Sequence, residues 1–411
     1  MPALSISTVA AKRDIAARMG SASYSYYYVY EAFAPLLERW QGARVHLAFV
    51  PLDAFQPATD APNVAFPFWD FPDVLDEWAH TAGTLDLLLT SSDFTRDAFV
   101  RAGVRTPIRV VRVPARPEWL ALPPWQPAQR VVVDCPCYVV TPTRPAPASR
   151  AKAFYRRHLG PLLSARSTDT LRAAAHAWRD SAAADCPVTA QLDLSGIVYT
   201  TVFNPFDQRK NWPDLVTAYL FALRDRDDAT LVLKLAVPPD RAAAGVNQVL
   251  AFHRRLGLAH RCKLVVVSAY LSDAQMLELA RGTTYYLNAS RCEGACLPLQ
   301  DFLAAARPAI APRHTAIADY FDGACGFVAE SHPEPASWPQ DPGRGYATTW
   351  HRLVWPSLRD RIRESYDAVK QPQYEALAAA ARARMAALAG GEVVWTQLCD
   401  ALDSLGATNA L

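Results

Sequence analysis

One segment of the chain carries most of the information about its fold: Glu293-Gly294-Ala295-Cys296-Leu297-Pro298-Leu299-Gln300-Asp301. The apolar residues 284–288 before it are typical of a buried strand, and residues 301–306 after it have a helical composition. Pro298 suits the first turn of such a helix. Because a strand–turn–helix unit points backbone N–H groups beyond the end of the strand, the segment predicts an α/β fold with a phosphate site at this edge.

The two carboxylates of this segment, Glu293 and Asp301, are eight positions apart. This spacing is just over two helical turns, so both lie on roughly the same face and can reach one ligand. Carboxylates accept hydrogen bonds from sugar hydroxyls, whereas the amides at a helix start favour negative charge. The expected ligand therefore has hydroxyls at both ends and an anion between them, which is the layout of a nucleotide sugar.

Length and composition exclude several other classes of protein. With 411 residues the chain exceeds the usual size of a single hydrophobic core, so two domains are expected. The formal net charge of +2 gives no reason to expect nucleic acid as a partner. No stretch reaches the roughly 18 to 20 apolar residues that span a membrane. Because Lys12-Arg13-Asp14 interrupts any apolar run of a signal peptide, a cytoplasmic protein is expected.

The cysteines are scattered over the chain, at positions 135, 137, 186, 262, 292, 296, 325 and 399. This distribution is unlike the dense disulfide framework of a small secreted domain, so reduced thiols are expected. The close pairs Cys135/Cys137 and Cys292/Cys296 lack a second pair, or a nearby pair of histidines, at zinc spacing. No metal site is therefore predicted.

Strand-like apolar runs alternate with helical segments in two series, which predicts two parallel α/β sheets. The runs of the first series are 45–50, 63–66, 85–90 and 108–113, and those of the second are 197–203, 230–235, 263–267, 284–288 and 308–311. The simplest architecture is two Rossmann-like, doubly wound domains that face a central cleft, with ligands bound beyond the strand ends. We predict an N-terminal acceptor-binding domain over 1–192, a nucleotide-sugar-binding domain over 193–349, and C-terminal helices over 350–411 that pack back toward the first domain.

Three stretches do not follow this alternation. Residues 114–192 are irregular, and between 144 and 179 they hold eight Arg or Lys residues against one acid, Asp169. This basic segment is either a solvated helical pair or a contact for an anionic membrane or a lipid-diphosphate acceptor. Residues 331–349 are rich in Pro and Gly and predict an exposed loop. Residues 4–9 are too short and polar for a typical first strand.

A second group of functional side chains follows the strand 197–203: Asn204-Pro205-Phe206-Asp207-Gln208-Arg209-Lys210-Asn211. Its two adjacent cations are expected to face the same crevice as Glu293. A guanidinium fork and a compact ammonium together suit a diphosphate, above all one that gains negative charge as a leaving group. The cations and the two acids therefore predict one donor site.

These two segments resemble the motifs of the retaining nucleotide-sugar glycosyltransferases of the GT-B fold, in particular glycosyltransferase family 4. The family has an Asp-x-Arg-Lys-Asn segment, which matches 207–211, and a Glu-x7-Glu motif beginning Glu-Gly-small-x-Leu-Pro, which matches 293–298. Ser91–Phe94 with Gly103-Val104 also resemble the last elements of the family's first domain. The departure is Asp301, which stands where the family usually has Glu and has a shorter reach.

The resemblance implies a role for each matching residue. Arg209 and Lys210 would bind the donor diphosphate, Glu293 would contact the transferred sugar or its phosphate, and Asp301 would hold the ribose hydroxyls. The amides of Ala295, Cys296 and Leu297 would complete the phosphate site. The other predicted donor-binding residues of the two segments are Asn204, Asp207, Asn211 and Gly294. The leaving diphosphate would accept the proton of the acceptor, with Arg209, Lys210 and Glu293 as the catalytic set, and no metal would be required.

Four further segments are candidates for the same cleft, each with an ordinary structural alternative. Tyr270-Leu271 is either a contact for the base or a plain connection, and Lys234 faces either the cleft or solvent. Gly20-Ser21 either approaches the donor phosphate or caps the next helix. Trp69-Asp70 joins an aromatic face to a carboxylate, which suits an acceptor sugar, with core packing as the alternative.

The expected activity is transfer of a hexose from a UDP- or GDP-type donor to a saccharide or lipid-linked acceptor, with retention of configuration and no cofactor. Such an enzyme would act in the synthesis of surface polysaccharide or another glycoconjugate, with the inner face of the membrane as an open location. Two alternatives are a nucleotide-sugar epimerase or hydrolase of the same fold and a catalytically degenerate sugar-binding scaffold subunit.

Overall fold

The computed structural model describes residues 4–8, 19, 22–140, 188–338, 343, 345 and 347–408. Within these ranges the chain forms two α/β domains and a C-terminal group of helices. The basic segment 144–179 and the turn Gly20-Ser21 lie outside the described residues.

The first domain is built on a parallel sheet whose strands are ordered as they occur in the chain. Its strands are β1 Leu4–Thr8, β2 Val45–Phe49, β3 Asn63–Ala65, β4 Leu87–Thr90 and β5 Ile108–Val110. Its helices are α1 Ala22–Leu37, α2 Asp76–Ala82 and α3 Asp93–Arg101, and the short helix α4 Pro117–Leu120 that follows packs on the second domain through Trp119. The helix α1 shares one apolar cluster with this sheet, while α2 and α3 share another, so helices cover both faces.

The strand β1 corrects the expectation for the N-terminus. Although residues 4–9 looked too short and polar for a strand, Leu4–Thr8 pairs in parallel with Val45–Phe49 at the edge of the sheet. An edge strand needs few apolar side chains of its own, because the backbone ladder to one neighbour supplies its register.

The second domain has an eight-stranded sheet, in the order β13-β12-β11-β8-β9-β10-β6-β7. Its strands are β6 Val131–Val140, β7 Val188–Leu194, β8 Ile197–Phe203, β9 Ala229–Leu235, β10 Lys263–Val267, β11 Tyr285–Leu287, β12 Ala309–Pro312 and β13 Gly326–Ala329. All strands from β13 to β10 are parallel, and every residue of β9 is buried, as expected for a strand covered by helices on both faces.

The antiparallel pair β6 and β7 corrects the prediction for residues 114–192. We placed this stretch in the first domain as an irregular segment, but β6 pairs antiparallel with β10 and β7 pairs antiparallel with β6. Both strands therefore belong to the second sheet, and a boundary at residue 192 would separate them from it. The alternation of buried and exposed residues along β6 is the pattern of an antiparallel strand with one face in the core.

The chain reverses its direction of travel across the second sheet at β8. From β8 it proceeds to β9 and β10 on one side, and β11 then lies on the other side of β8. The carboxyl ends of β8 and β11 are thus neighbours at the topological switch point, where open α/β sheets bind their ligands.

The helices of the second domain begin and end at recognisable signals. They are α5 Trp212–Leu223, α6 Ala242–Leu256, α7 Asp273–Gly282 and α8 Leu297–Ala304. A reciprocal capping box of Ser272 and Gln275 starts α7, and Gly257, with a φ of 61°, ends α6 in the left-handed conformation that glycine tolerates.

The segment predicted as an exposed loop over 331–349 is partly a hairpin. Strands β14 Ser331–Ala336 and β15 Thr348–Leu353 pair antiparallel. Trp338 packs against Trp69 of the first domain, with ring centroids 5.3 Å apart, and the Thr348 hydroxyl donates to Asp73 Oδ2 at 3.0 Å. The segment of this hairpin therefore contacts the first domain at two points, Trp69 and Asp73.

Of the three C-terminal helices that the structure describes, the last packs back on the first domain, as predicted, whereas the first two pack on the second domain. They are α9 Trp355–Ala368, α10 Pro372–Ala389 and α11 Gly391–Thr408. Val394 and Leu398 of α11 lie in the apolar cluster of the first domain, and Glu392 pairs with Arg39 of that domain at 2.7 Å.

Two properties concern only the part of the chain that the structure describes. No helix there combines the length and the apolarity that crossing a membrane requires. The cysteines there, which exclude Cys186, are free thiols.

Candidate functional site

The two predicted motifs meet at the switch point of the second sheet. The loop after β8 carries Lys210 and the loop after β11 carries Glu293, and Lys210 Nζ lies 2.6 Å from Glu293 Oε1. Glu293 is 3% exposed. A charged pair this well buried and this close to strand ends is a functional-site candidate on physical grounds.

The loop after β8 is shaped by Asp207. Its carboxylate accepts a hydrogen bond from the backbone N–H of Arg209 at 3.0 Å and another from Arg209 Nη2 at 2.7 Å. Asn204 acts one turn earlier, where its Oδ1 accepts from Phe206 N at 3.0 Å. Asn211 ends the turn with a φ of 45°, in the left-handed region that Asn enters more readily than most residues, and α5 follows. The motif residues thus orient the two cations.

Opposite charges hold these groups ionised despite their burial. Burial by itself lowers the pKa of Lys210, but Glu293 outweighs it, so the pKa lies above its usual value. Burial would likewise lower the pKa of Arg209, and Asp70 and Asp207 raise it instead. For Asp207 burial raises the pKa, yet Arg209 and Lys210 bring it below the ordinary value. The site therefore holds two permanent cations near neutral pH.

The first domain supplies a further carboxylate, Asp70. Its Oδ2 lies 2.5 Å from Arg209 Nη1, and its Oδ1 accepts from the backbone N–H of Gly294 at 2.8 Å. We predicted Asp70 as an acceptor-binding residue, and the structure places it on two groups of the predicted donor site, Arg209 and Gly294. Trp69 beside it is 7% exposed and packs on Trp78 and Trp338, which favours the core-packing alternative over a sugar stack.

Gly294 is the point at which the first domain holds the loop of Glu293, which is the predicted donor loop. Its carbonyl accepts from the hydroxyl of Ser92 at 2.9 Å, while its N–H donates to Asp70. A Cβ at this position would lie 2.3 Å from the carbonyl oxygen of Trp69, so only glycine permits the approach. Ser92 also caps α3, because its hydroxyl oxygen accepts from Thr95 N at 3.1 Å.

The remaining residues of the Glu293 segment build the start of α8. The hydroxyl of Thr315 accepts from Glu293 N at 3.1 Å. The carbonyl of Ala295 accepts from the hydroxyl of Tyr320 at 2.8 Å. Cys296 has a φ of 58° and turns the chain into α8, which begins at Leu297. Because the first N–H groups of a helix have no intrahelical acceptor, this turn has the character of an anion site.

Asp301 is covered by residues of the first-domain half of the cleft. Tyr28 donates its hydroxyl to Asp301 Oδ2 at 2.5 Å, and Arg116 Nη2 donates to the same Tyr28 oxygen at 2.6 Å. Burial raises the pKa of Asp301 to about 6, against the opposing effects of Arg116 and the Tyr28 hydrogen bond. Sequence reasoning missed Tyr28 and Arg116, because no motif links them to a residue so distant in the chain.

The other candidates have different environments. Lys234 is 3% exposed; its ammonium donates to Leu235 O at 2.9 Å and lies 3.5 Å from Met19 Sδ. Burial lowers the pKa of Lys234 to about 8. Leu271 is a core residue at 3% exposed, whereas Tyr270 is 38% exposed.

A cavity of about 350 Å³ opens next to Asp301, between the first domain and the loop of Tyr270. Among the residues that line it are Tyr24, Tyr28, Arg116 and Tyr270. Of these, Tyr28 and Arg116 are the residues that cover Asp301, so the cavity adjoins the predicted ribose end of the site. Its aromatic lining suits a planar base.

Among the described residues, no group of three or more His, Cys, Asp and Glu side chains is arranged to hold a metal ion. Metal independence stays a prediction.

Comparison with known proteins extends the description of the fold. No protein-family model and no curated protein sequence matches the chain. It is similar to the solved structure of sucrose-phosphate synthase from Thermosynechococcus elongatus, with 14% identity, a TM-score of 0.53, and coverage of 93% of this chain and 78% of that one. It is also similar to Anabaena HepE in complex with UDP and glucose, with 13% identity, a TM-score of 0.54, and coverage of 92% and 81%.

A third similar structure is the α,α-trehalose 6-phosphate synthase of Burkholderia multivorans. The identity is 12% and the TM-score 0.52, with 94% of this chain and 78% of that one covered. These neighbours share two Rossmann-like domains in the GT-B arrangement, which confirms the predicted fold class of this chain. At such low identity the similarity establishes the fold alone.

Proposed function

We propose that the protein is a glycosyltransferase that moves a hexose from a UDP- or GDP-type nucleotide sugar to a saccharide or lipid-linked acceptor, with retention of configuration. The observation that carries this proposal is the Lys210–Glu293 pair of 2.6 Å at the switch point, with the guanidinium of Arg209 beside it. A fold is compatible with many activities, so the site has to support the proposal. The neighbour HepE was crystallised in complex with UDP and glucose, which supports a nucleotide-sugar donor for this chain.

In the proposed mechanism the donor diphosphate lies between the cations and the start of α8. Arg209 and Lys210 balance the negative charge that grows as the bond from the anomeric carbon to the phosphate oxygen breaks. The acceptor hydroxyl attacks from the same face, and its proton passes to the departing phosphate oxygen. Glu293 orients Lys210 and contacts the sugar, and Asp301 accepts from the ribose hydroxyls. No metal is invoked, because two cations already face the diphosphate.

The deciding experiment incubates the purified protein with a panel of UDP and GDP sugars, with and without simple saccharides and lipid-linked acceptors. We expect a new glycoside only when both donor and acceptor are present, with the anomeric configuration of the donor. Rapid turnover of the donor alone would instead favour an epimerase or hydrolase. Binding of no nucleotide by calorimetry would favour the scaffold alternative.

The location at which the enzyme would act depends on whether its acceptor is a free saccharide or a lipid-linked one. A lipid-linked acceptor would agree with a role in surface polysaccharide or glycoconjugate synthesis and with membrane contact by segment 144–179, which lies outside the described residues. Comparing activity on a free saccharide and on the same saccharide linked to a lipid in vesicles separates the two cases.

A further inference from the structure

We propose that Asp70 and Tyr28 of the first domain occupy the contact positions of the nucleotide donor, so that the donor binds by displacing them. This inference rests on the proposed function, and it concerns the competition between first-domain side chains and the donor for the same binding groups.

Asp70 is placed as a phosphate would be. One carboxylate oxygen accepts from the Gly294 amide at 2.8 Å, and the other lies 2.5 Å from Arg209 Nη1. A backbone amide in a strand-to-helix turn and an arginine fork are the groups that bind phosphate oxygens. A carboxylate and a phosphate cannot accept from the same N–H groups at these distances, so the two compete.

The contact of Asp70 with Arg209 is close, but it leaves part of the hydrogen-bonding capacity of the guanidinium unsatisfied. The buried Nη1 atom of Arg209 is paired in charge with Asp70, yet it makes no well-aligned hydrogen bond. A phosphate, with oxygens in three directions, can satisfy this N–H better than a carboxylate that is held by Gly294 at the same time. Exchange of one anion for the other is therefore favourable once the domain contact opens.

Tyr28 fills the other end of the site in the same way. Its hydroxyl donates to Asp301 Oδ2 at 2.5 Å, which is the hydrogen bond that a ribose hydroxyl would make. Arg116 holds the Tyr28 oxygen at 2.6 Å, and its guanidinium carbon lies 4.5 Å from the centre of the Tyr28 ring. The ribose can reach Asp301 only after this hydroxyl has moved.

Both contacts cross the boundary between the domains, since Asp70 and Tyr28 belong to the first domain and Arg209, Gly294 and Asp301 to the second. The site is consequently closed by contacts that resemble those expected of the donor. Donor binding breaks these contacts. Because only molecules with an open site bind the donor, the apparent affinity is the intrinsic affinity multiplied by the open fraction.

The test is calorimetric titration of the intact protein with inorganic pyrophosphate and with UDP and GDP. Asp70→Asn should tighten the binding of pyrophosphate and of the preferred nucleotide about tenfold, because it removes the competing charge. Tyr28→Phe should tighten the nucleotide severalfold and leave pyrophosphate unchanged, since pyrophosphate does not reach Asp301. A purely structural role of either residue would not separate the two probes in this way.

Asp73→Asn is the matched control, because Asp73 lies three positions from Asp70 and bonds to Thr348 rather than to the donor loop. Weaker or equal binding of both probes by Asp70→Asn would overturn the proposal even if the protein proves to be a glycosyltransferase. Failure of wild type and Asp70→Asn alike to bind any probe would overturn it as well, and would count against the proposed function only if transfer is also absent.

Discussion

Lys210 and Glu293 form an ion pair of 2.6 Å that joins the loops after two neighbouring parallel strands, although they are 83 positions apart in the chain. The Glu293 side chain is almost completely buried, and the Lys210 side chain is 21% exposed. This ion pair fixes the position of the Lys210 ammonium at the carboxyl ends of the parallel strands.

The first prediction concerns this pair. Lys210→Met should reduce kcat about 100-fold to 1,000-fold, because a charge that stabilises the leaving group is lost. It should also lower the free energy of unfolding by about 3 kcal/mol, since Glu293 is left buried and unpaired. Steady-state kinetics and urea denaturation measure the two effects.

The double variant Lys210→Met with Glu293→Gln separates them. It removes the unpaired charge and should recover most of the stability, yet transfer should stay as low as in the single variant. Recovery of activity together with stability would show that the pair is structural only.

The second prediction is a pH dependence that comes from Asp301. Because the carboxylate has to be ionised to accept from ribose hydroxyls, donor affinity should fall as the pH drops through about 6, the raised pKa of Asp301. The measurement is calorimetry with an intact nucleotide sugar, whose diphosphate lacks the terminal phosphate that titrates in this range. In Asp301→Asn this pH dependence should disappear.

The raised pKa of Asp301 affects folding stability in the opposite direction: donor affinity rises with pH, whereas the contribution of Asp301 to stability falls. A carboxyl whose folded pKa is above its unfolded value of 3.8 stabilises the fold below that value, and this contribution is lost as the pH rises through about 6. The melting temperature of wild type relative to Asp301→Asn should therefore decline over this interval. A difference that is constant with pH would contradict the assignment.

The third prediction concerns Gly294. Gly294→Ala should place a methyl group 2.3 Å from the Trp69 carbonyl oxygen, a backbone atom that cannot rotate away. We expect a loss of about 1 to 3 kcal/mol in stability and a large loss of transfer, because the donor loop has to shift. Gly323→Ala is the control, since its added Cβ meets nothing within 4 Å. Equal effects of both substitutions would show that the approach of the first domain is not required.

The fourth prediction separates the two roles of Ser92. Ser92→Ala and Ser272→Ala each remove an N-cap and should each reduce stability by about 1 kcal/mol. Only Ser92→Ala also removes the hydrogen bond to the Gly294 carbonyl, so only it should change kcat or the donor KM. If the two variants had the same kinetics, Ser92 would be a helix cap and nothing more.

Much of the fold could be predicted from local patterns. The apolar runs at 45–50 and 197–203 contain the observed strands, and the motif around Glu293 does start a helix, because strand and helix periodicity are properties of a few consecutive residues. The strands Leu4–Thr8 and Val131–Val140 were missed. Each lies toward an edge of its sheet, where a strand is defined by pairing with a neighbour more than by its own composition.

The candidate site divides in a similar way. Arg209, Lys210 and Glu293 could be grouped from sequence because each follows a strand of the same sheet, and parallel strands end at one edge. The partners of these residues in the first domain could not be predicted from the sequence. Asp70 was assigned to the acceptor, and Tyr28 and Ser92 were not recognised as parts of the site at all.

Sequence alone was sufficient to establish which side chains of the second domain carry the charge of the site, since strand, turn and helix start are encoded within about 20 residues. Tertiary structure alone established that Asp70 lies on Arg209 and that Tyr28 lies on Asp301, 273 positions away. The physical reason is that such contacts, and the burial that raises the pKa of Asp301, depend on how two domains pack, and packing between domains has no local signature in a chain.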